Sequence, residues 1–137
     1  MISLDLARQL KNAGVTWSPA PGDTFMIPHR DLDDQVFAVS DMVVEVLDLP
    51  TGRVLAFNGT TEWALDSIMQ RDVVWLPRED QLRSMLGGGF VSLQAVPGGF
   101  VVEVASGSRT ERHVDVDAEG AYARALLSVL ARPQPLT

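Results

Sequence analysis

Apolar residues recur at the three- and four-residue spacing of an amphipathic helix in two segments, one near each end of the chain. Such spacing places the apolar side chains on a single helix face. The first segment predicts a helix over residues 4–13, with Ser3 as its N-cap and Gly14 directly after its end. The second segment predicts a longer helix over residues 118–131, with Asp117 as its N-cap.

Two further helices are expected in the middle of the chain. One begins at Thr60 or Thr61 and continues to about Met69. The other has Pro77 at its first helical position and ends at the glycines of residues 87–89. Its buried stripe consists of three apolar residues at helical spacing: Leu82, Met85 and Leu86.

Short apolar runs separated by turn residues predict strands between these helices. The turn sequences at residues 50–52 and 97–99 each predict a hairpin between the strands on either side. A uniformly apolar run at residues 73–76 predicts a strand buried on both faces. The predicted strands cover residues 24–27, 35–39, 42–48, 53–57, 73–76, 90–96, 100–105 and 111–116.

Hairpins dominate this pattern, and the helices are too few for alternating strand–helix winding. The sequence therefore predicts the α+β class, with a mainly antiparallel sheet built from hairpins and about four helices packed mostly on one face. The length of 137 residues fits a single globular domain over residues 1–137 and is enough to bury a core without disulfides or metals.

Composition excludes several classes of protein. The chain has no cysteine, so disulfides, thiolate catalysis and cysteine-based zinc sites are excluded. No apolar stretch approaches the roughly 18 residues of a membrane span. The first residues lack the basic segment and apolar run of a secretory signal, so we expect a cytoplasmic protein.

The net charge of −7 bears on the possible partners. A strongly acidic chain repels polyanions at long range, and its basic residues form no cluster in the sequence. We therefore expect neither nucleic acid nor a membrane surface as a partner. A protein partner or a homo-oligomer remains possible.

The densest group of potential metal ligands lies in the predicted loop after Pro28. His29, Asp31 and Asp33 offer imidazole and carboxylate groups of the kind that bind divalent cations. Their spacing matches no known metal loop. The alternative is an exposed acidic loop, because aspartate is favoured in turns.

A second group lies on the last predicted strand. His113 and Asp115 are two residues apart, so their side chains share one face of that strand. They are candidates for metal binding, or for a histidine base oriented by a carboxylate. The alternative is a strand face in contact with solvent.

Other motifs point away from catalysis. The glycines at 87–89 follow a helix and lack the Lys-Ser/Thr of a phosphate-binding loop, and no nucleophile elbow is present. We therefore assign no catalytic residue and no cofactor. Among the tryptophans, Trp63 and Trp75 lie in apolar surroundings and are expected in the core. Trp17, beside a proline-rich turn, is the better candidate for the surface.

Several segments carry a resemblance to known proteins. In chain order these are Ala13-Gly14, Trp17, Pro21-Gly22-Asp23, Phe25, Pro28, Glu62-Trp63-Ala64-Leu65-Asp66, Trp75-Leu76-Pro77-Arg78-Glu79-Asp80-Gln81-Leu82 and the final helix with Ala121, Ala125, Leu126 and Leu127. Together they resemble a family of small uncharacterised bacterial and phage-associated proteins. The resemblance spans nearly the whole chain and implies no functional residue. Some relatives carry a pilus-assembly description that implies an ATPase, but this chain has no Walker A motif and is too short for that fold.

Two functions follow as hypotheses. The first is a non-enzymatic module that binds a protein partner or itself through a strand edge or an apolar stripe. The second is a small metal-dependent hydrolase or ligand-binding protein that uses His29, His113 and the nearby aspartates. Convergence of both histidines with at least two aspartates in one pocket would favour the second.

Overall fold

A computed structural model describes residues 1–28, 36–39, 45–56 and 67–132 of the chain. Within these ranges the protein is α+β, with three α-helices and three three-stranded sheets in which every strand pairing is antiparallel. The chain divides into two compact units. One comprises Met1–Val15 and Pro77–Thr137, and the other comprises Thr16–Leu76.

The first unit contains all three helices and one sheet. Its elements, in chain order, are α1 (Leu4–Asn12), α2 (Glu79–Leu86), β7 (Phe90–Val96), β8 (Gly99–Ser106), β9 (Arg109–Asp115) and α3 (Ala118–Leu130), with the numbering of strands taken along the whole chain. The sheet order is β7-β8-β9, so that β8 is central. Helix α3 packs against α1, α2, β8 and β9.

Local signals explain these helices. The Ser3 hydroxyl accepts a hydrogen bond from the Leu6 N–H at 3.2 Å, and the Asp117 carboxylate accepts one from the Gly120 N–H at 2.8 Å. Both caps satisfy N–H groups that the helix itself leaves without a partner. The predicted helices at the two ends of the chain are therefore confirmed, with Ser3 and Asp117 as their caps.

The second unit contains two sheets. Its strands are β1 (Thr24–Met26), β2 (Phe37–Ala38), β3 (Glu45–Leu49), β4 (Gly52–Ala56), β5 (Ser67–Met69) and β6 (Val74–Leu76). They form the sheets β2-β1-β6 and β3-β4-β5. Buried apolar residues form the core cluster of this unit: Trp17, Phe25, Ile27, Val39, Leu55 and Val73.

Trp17 is buried, although its place beside the proline-rich turn makes it the better surface candidate among the three tryptophans. Its side chain is 6% exposed. The indole N–H donates to the carboxylate of Asp23 at 2.9 Å, and Asp23 is itself 2% exposed. The turn therefore folds a carboxylate inward to meet the indole. Trp75 is half-buried and stacks on Trp17 with ring centroids 6.4 Å apart, whereas Trp63 lies outside the described residues.

Two other predictions about the elements are wrong in part. The helix expected to reach Met69 does not, because Ser67–Met69 is strand β5, paired with β4. The rest of that predicted helix lies outside the described residues. Pro77 does not occupy the first helical position either. Arg78 is extended, with φ −80° and ψ 166°, and α2 begins at Glu79.

The antiparallel hairpin prediction holds, but the strands form three sheets instead of one. The turns predicted at residues 50–52 and 97–99 join β3 to β4 and β7 to β8. The three sheets differ from the expected single sheet because a hairpin signal predicts only the pairing of two strands that are adjacent in sequence. Which hairpins join into one sheet depends on packing between distant segments.

Candidate functional site

The metal ligands predicted from the last strand are held by other protein groups. The Nε2 atom of His113 lies 3.2 Å from a carboxylate oxygen of Glu111. Asp115 accepts a hydrogen bond from Nε of Arg124 at 2.7 Å. Burial alone raises the pKa of Asp115, but the bonds from Arg124 and from the Asp117 and Val116 N–H groups lower it overall. In the described ranges, no three His, Asp or Glu side chains are grouped to hold a metal.

The other predicted ligands, His29, Asp31 and Asp33, lie outside the described residues. The metal-dependent alternative therefore stays a prediction. Nothing described brings His113 or Asp115 together with a second histidine.

A polar cluster around Glu111 joins the end of α3 to β9. The Ser128 hydroxyl donates to Glu111 at 2.7 Å, and the Arg132 guanidinium lies 3.1 Å from its second oxygen. Arg132 also donates to the Ala105 carbonyl at 3.0 Å. Hydrogen bonds from Ser128, His113 and Ser106, opposed by partial burial and aided by the charge of Arg132, lower the pKa of Glu111 to about 2.

This cluster has the residue types of a hydrolytic triad but not its geometry. In a triad the histidine lies between the serine and the carboxylate and removes the serine proton. Here Ser128 and His113 contact the same oxygen of Glu111. The serine therefore donates to a carboxylate with little basicity. We interpret the cluster as a link between helix and sheet.

A cleft of about 760 Å³ lies beside α2 and includes Glu79, Arg83, Phe90 and Tyr122 in its lining. The Arg83 guanidinium lies 4.4 Å from the centre of the Phe90 ring, which stacks on Tyr122 at 5.7 Å. Burial raises the pKa of Tyr122, and so do the charge of Glu79 and the hydrogen bond to it. Glu79 is hydrogen-bonded to Tyr122 and Arg83 lies over Phe90, so these side chains interact with one another, and we assign no catalytic role to the cleft.

Strand β7 differs from these sites because, among the described residues, the backbone groups along one side of it have no protein partner. Of the strands that the structure describes, only β8 pairs with it, so β7 lies at the edge of its sheet. The Phe90 N–H donates to the Gly87 carbonyl, but within the described ranges no residue of Val91–Val96 makes a backbone hydrogen bond outside the sheet. An open strand edge presents a row of N–H and C=O groups to which another strand can pair.

The hairpin turn determines which residues present these groups. Val96 and Gly99 flank the two-residue turn, so they form the hydrogen-bonded pair next to it. Hydrogen-bonded and non-hydrogen-bonded pairs alternate along an antiparallel ladder. Leu93 and Ala95 therefore direct their N–H and C=O groups away from β8. A register shift between Phe90 and Ser92 interrupts the ladder at the far end.

The two edges of this sheet differ in charge. No charged residue lies between Arg83 and Glu103, so β7 is uncharged throughout. Its exposed side chains are Val91, Gln94 and Ala95. The opposite edge, β9, carries five titratable side chains, namely Arg109, Glu111, Arg112, His113 and Asp115. Charges on an edge strand are a common protection against pairing with another strand, and β7 has none.

Sequence reasoning predicted β7 as a strand but did not identify it as an interaction surface. The sequence signal for such a surface is the absence of charged residues between Arg83 and Glu103. The Glu111 cluster was also missed, because Ser128 and Arg132 are distant in sequence and no motif links them to β9.

No family model, no curated protein and no solved structure matches this chain. The proposed resemblance to bacterial and phage-associated proteins therefore remains an expectation. Among the described residues, no helix combines the length and apolar character needed to cross a membrane.

Proposed function

We propose that this protein is a non-enzymatic binding module whose β7 edge accepts a strand from a protein partner. The observation that carries the proposal is the set of outward N–H and C=O groups at Leu93 and Ala95, on a strand without charge. In strand addition, backbone hydrogen bonds provide affinity and the neighbouring side chains provide selectivity.

Two further properties support a protein as the partner. The net charge of −7 disfavours nucleic acid and anionic surfaces, whose binding depends on basic groups. The exposed side chains of β7 are aliphatic or amide groups, which suit contact with another strand. A cytoplasmic location belongs to the same proposal and rests on the sequence alone.

The test uses proline at matched positions on the two edges. Ala95 and Thr110 each belong to the second pair from a two-residue turn, on β7 and β9 respectively. Both direct their N–H group outward, so proline at either position leaves the sheet's own hydrogen bonds intact. Ala95→Pro blocks the β7 edge, whereas Thr110→Pro blocks the β9 edge.

The wild type and both variants serve as affinity baits in extracts of the native cell, after circular dichroism has shown that each is folded. We expect the wild type and Thr110→Pro to retain the same partner and Ala95→Pro to lose it. If Ala95→Pro does not fold, Ala95→Lys replaces it, since an inserted charge also blocks an edge. Equal retention by all baits would contradict the proposal.

A further inference from the structure

We infer that the strand accepted by the β7 edge belongs to a second copy of this chain, paired antiparallel about a two-fold axis at Gln94. This inference rests on the proposed function and adds the identity of the partner. A two-fold interface brings the same surface of both copies together, so the surface must complement itself.

The backbone of β7 satisfies this requirement in one register. Towards its start, usable pairing ends at the irregularity between Phe90 and Ser92, and towards its end it stops at Pro97, which has no N–H. The interval between them is centred on Gln94. With the axis there, Leu93 of each copy lies opposite Ala95 of the other. Each outward N–H then meets an outward C=O, and both sheets join into one.

The side chains of β7 also complement those of a second copy. Because β7 is uncharged, no register of the strand with its own copy brings like charges together. The two Gln94 amides lie opposite each other, and an amide carries both donors and an acceptor, so it complements an identical amide. Strand β9 is less suited to pairing with its own copy, because a two-fold axis would place its charged residues on both sides of the interface.

The net charge of −7 on each copy opposes association but acts mainly at long range. At physiological ionic strength, charges farther apart than about 8 Å are largely screened. The absence of charge on the contacting strand therefore matters more than the total charge of the molecule.

Disulfide trapping tests the register directly, because the chain has no cysteine of its own. In the proposed dimer the two Gln94 residues form a non-hydrogen-bonded pair, with Cα atoms about 4.5 Å apart. That distance lies within the roughly 4.4–6.8 Å that a disulfide spans. Gln94→Cys should therefore form a covalent dimer rapidly under mild oxidation. Thr110→Cys, exposed on the opposite edge, measures the background from random collisions.

We expect at least tenfold faster cross-linking of Gln94→Cys than of Thr110→Cys, followed on non-reducing gels at equal low protein concentration. Adding Ala95→Pro to Gln94→Cys should reduce the rate to background. Equal rates for the two single-cysteine variants would overturn the inference. If the rates are equal but an Ala95-dependent bait still captures a different protein, only the identity of the partner is wrong. If neither effect is seen, the proposed function fails too.

Discussion

At the residue scale, the position of Trp17 depends on a single buried carboxylate. Asp23 accepts hydrogen bonds from the Trp17 indole and from the Ala20 N–H, and it is 2% exposed. A buried carboxylate needs such donors, because loss of solvation is otherwise costly. The proline-rich sequence around it indicates a turn but does not show that the aspartate points inward. For this reason the sequence makes Trp17 the better surface candidate of the three tryptophans.

Replacement of Trp17 by Phe should cost about 1–3 kcal/mol beyond the loss of ring size, since Asp23 loses a donor in a buried site. Trp75→Phe is a matched control. The Trp75 indole N–H is buried and has no hydrogen-bond partner in the part of the chain that the structure describes. Urea unfolding of both variants measures the difference. An equal loss of stability would show that the bond to Asp23 contributes nothing.

Gly99 is required because β8 begins close to the end of β9. A Cβ at this position would collide with the Asp115 carbonyl oxygen and lie 3.2 Å from the Cα of Val116. Overpacking against backbone typically costs about 1–3 kcal/mol, so Gly99→Ala should lower the melting temperature. Gly88→Ala is the control, because a Cβ there meets nothing within 4 Å. Similar melting temperatures for the two variants would contradict the close approach.

The Glu111 cluster predicts a dependence of stability on pH. The pKa of Glu111 falls from an ordinary 4.5 to about 2, so its ionised form favours the folded state. This contribution is fully present above pH 4.5 and is lost as the pH falls through about 2. Glu111→Gln should therefore lose less stability than the wild type between pH 5 and about 2.

Ser128→Ala tests the cause of that shift, because the Ser128 hydroxyl is the largest contributor to the lowered pKa of Glu111. Chemical unfolding at several pH values gives the free energy of unfolding of the wild type, Glu111→Gln and Ser128→Ala. If the free energy of unfolding fell equally for the wild type and Glu111→Gln between pH 5 and about 2, the cluster would not be coupled to folding.

At the scale of elements, helices and hairpins with local sequence signals are predicted correctly. Strands that form only by pairing with a distant segment are not. Helices α1 and α3 carry their caps and apolar stripes within the sequence, and the hairpin of β7 and β8 carries its turn. Strand β5 has no such signal. Ser67–Met69 becomes a strand because it pairs with β4, a contact that sequence periodicity cannot show.

The cap of α3 should contribute measurably to stability. Asp117 satisfies the Gly120 N–H at 2.8 Å, so Asp117→Ala should cost about 0.5–2 kcal/mol. Asp117→Asn is the control, because asparagine caps helices about as well as aspartate. Thermal unfolding compares them. If alanine and asparagine were equally stable, the cap would not be the source of stability at this position.

At the scale of the whole molecule, the candidate interaction surface is a consequence of strand order. The sequence predicts strands at β7, β8 and β9 and leads to the hypothesis that a strand edge serves association. It did not show which strand lies at an edge, because that depends on the order β7-β8-β9. The lack of charge on β7 gains significance only once its position is known.

The proposed dimer pairs the outward backbone groups of β7 with those of β7 in a second copy. Amide hydrogen exchange resolved by NMR, measured at several protein concentrations, tests it most directly. The amides of Leu93 and Ala95 should become protected as concentration rises, whereas the outward amide of Thr110 on β9 should not change. Rapid exchange at Leu93 and Ala95 at every concentration, equal to that at Thr110, would contradict pairing of the β7 edge between copies.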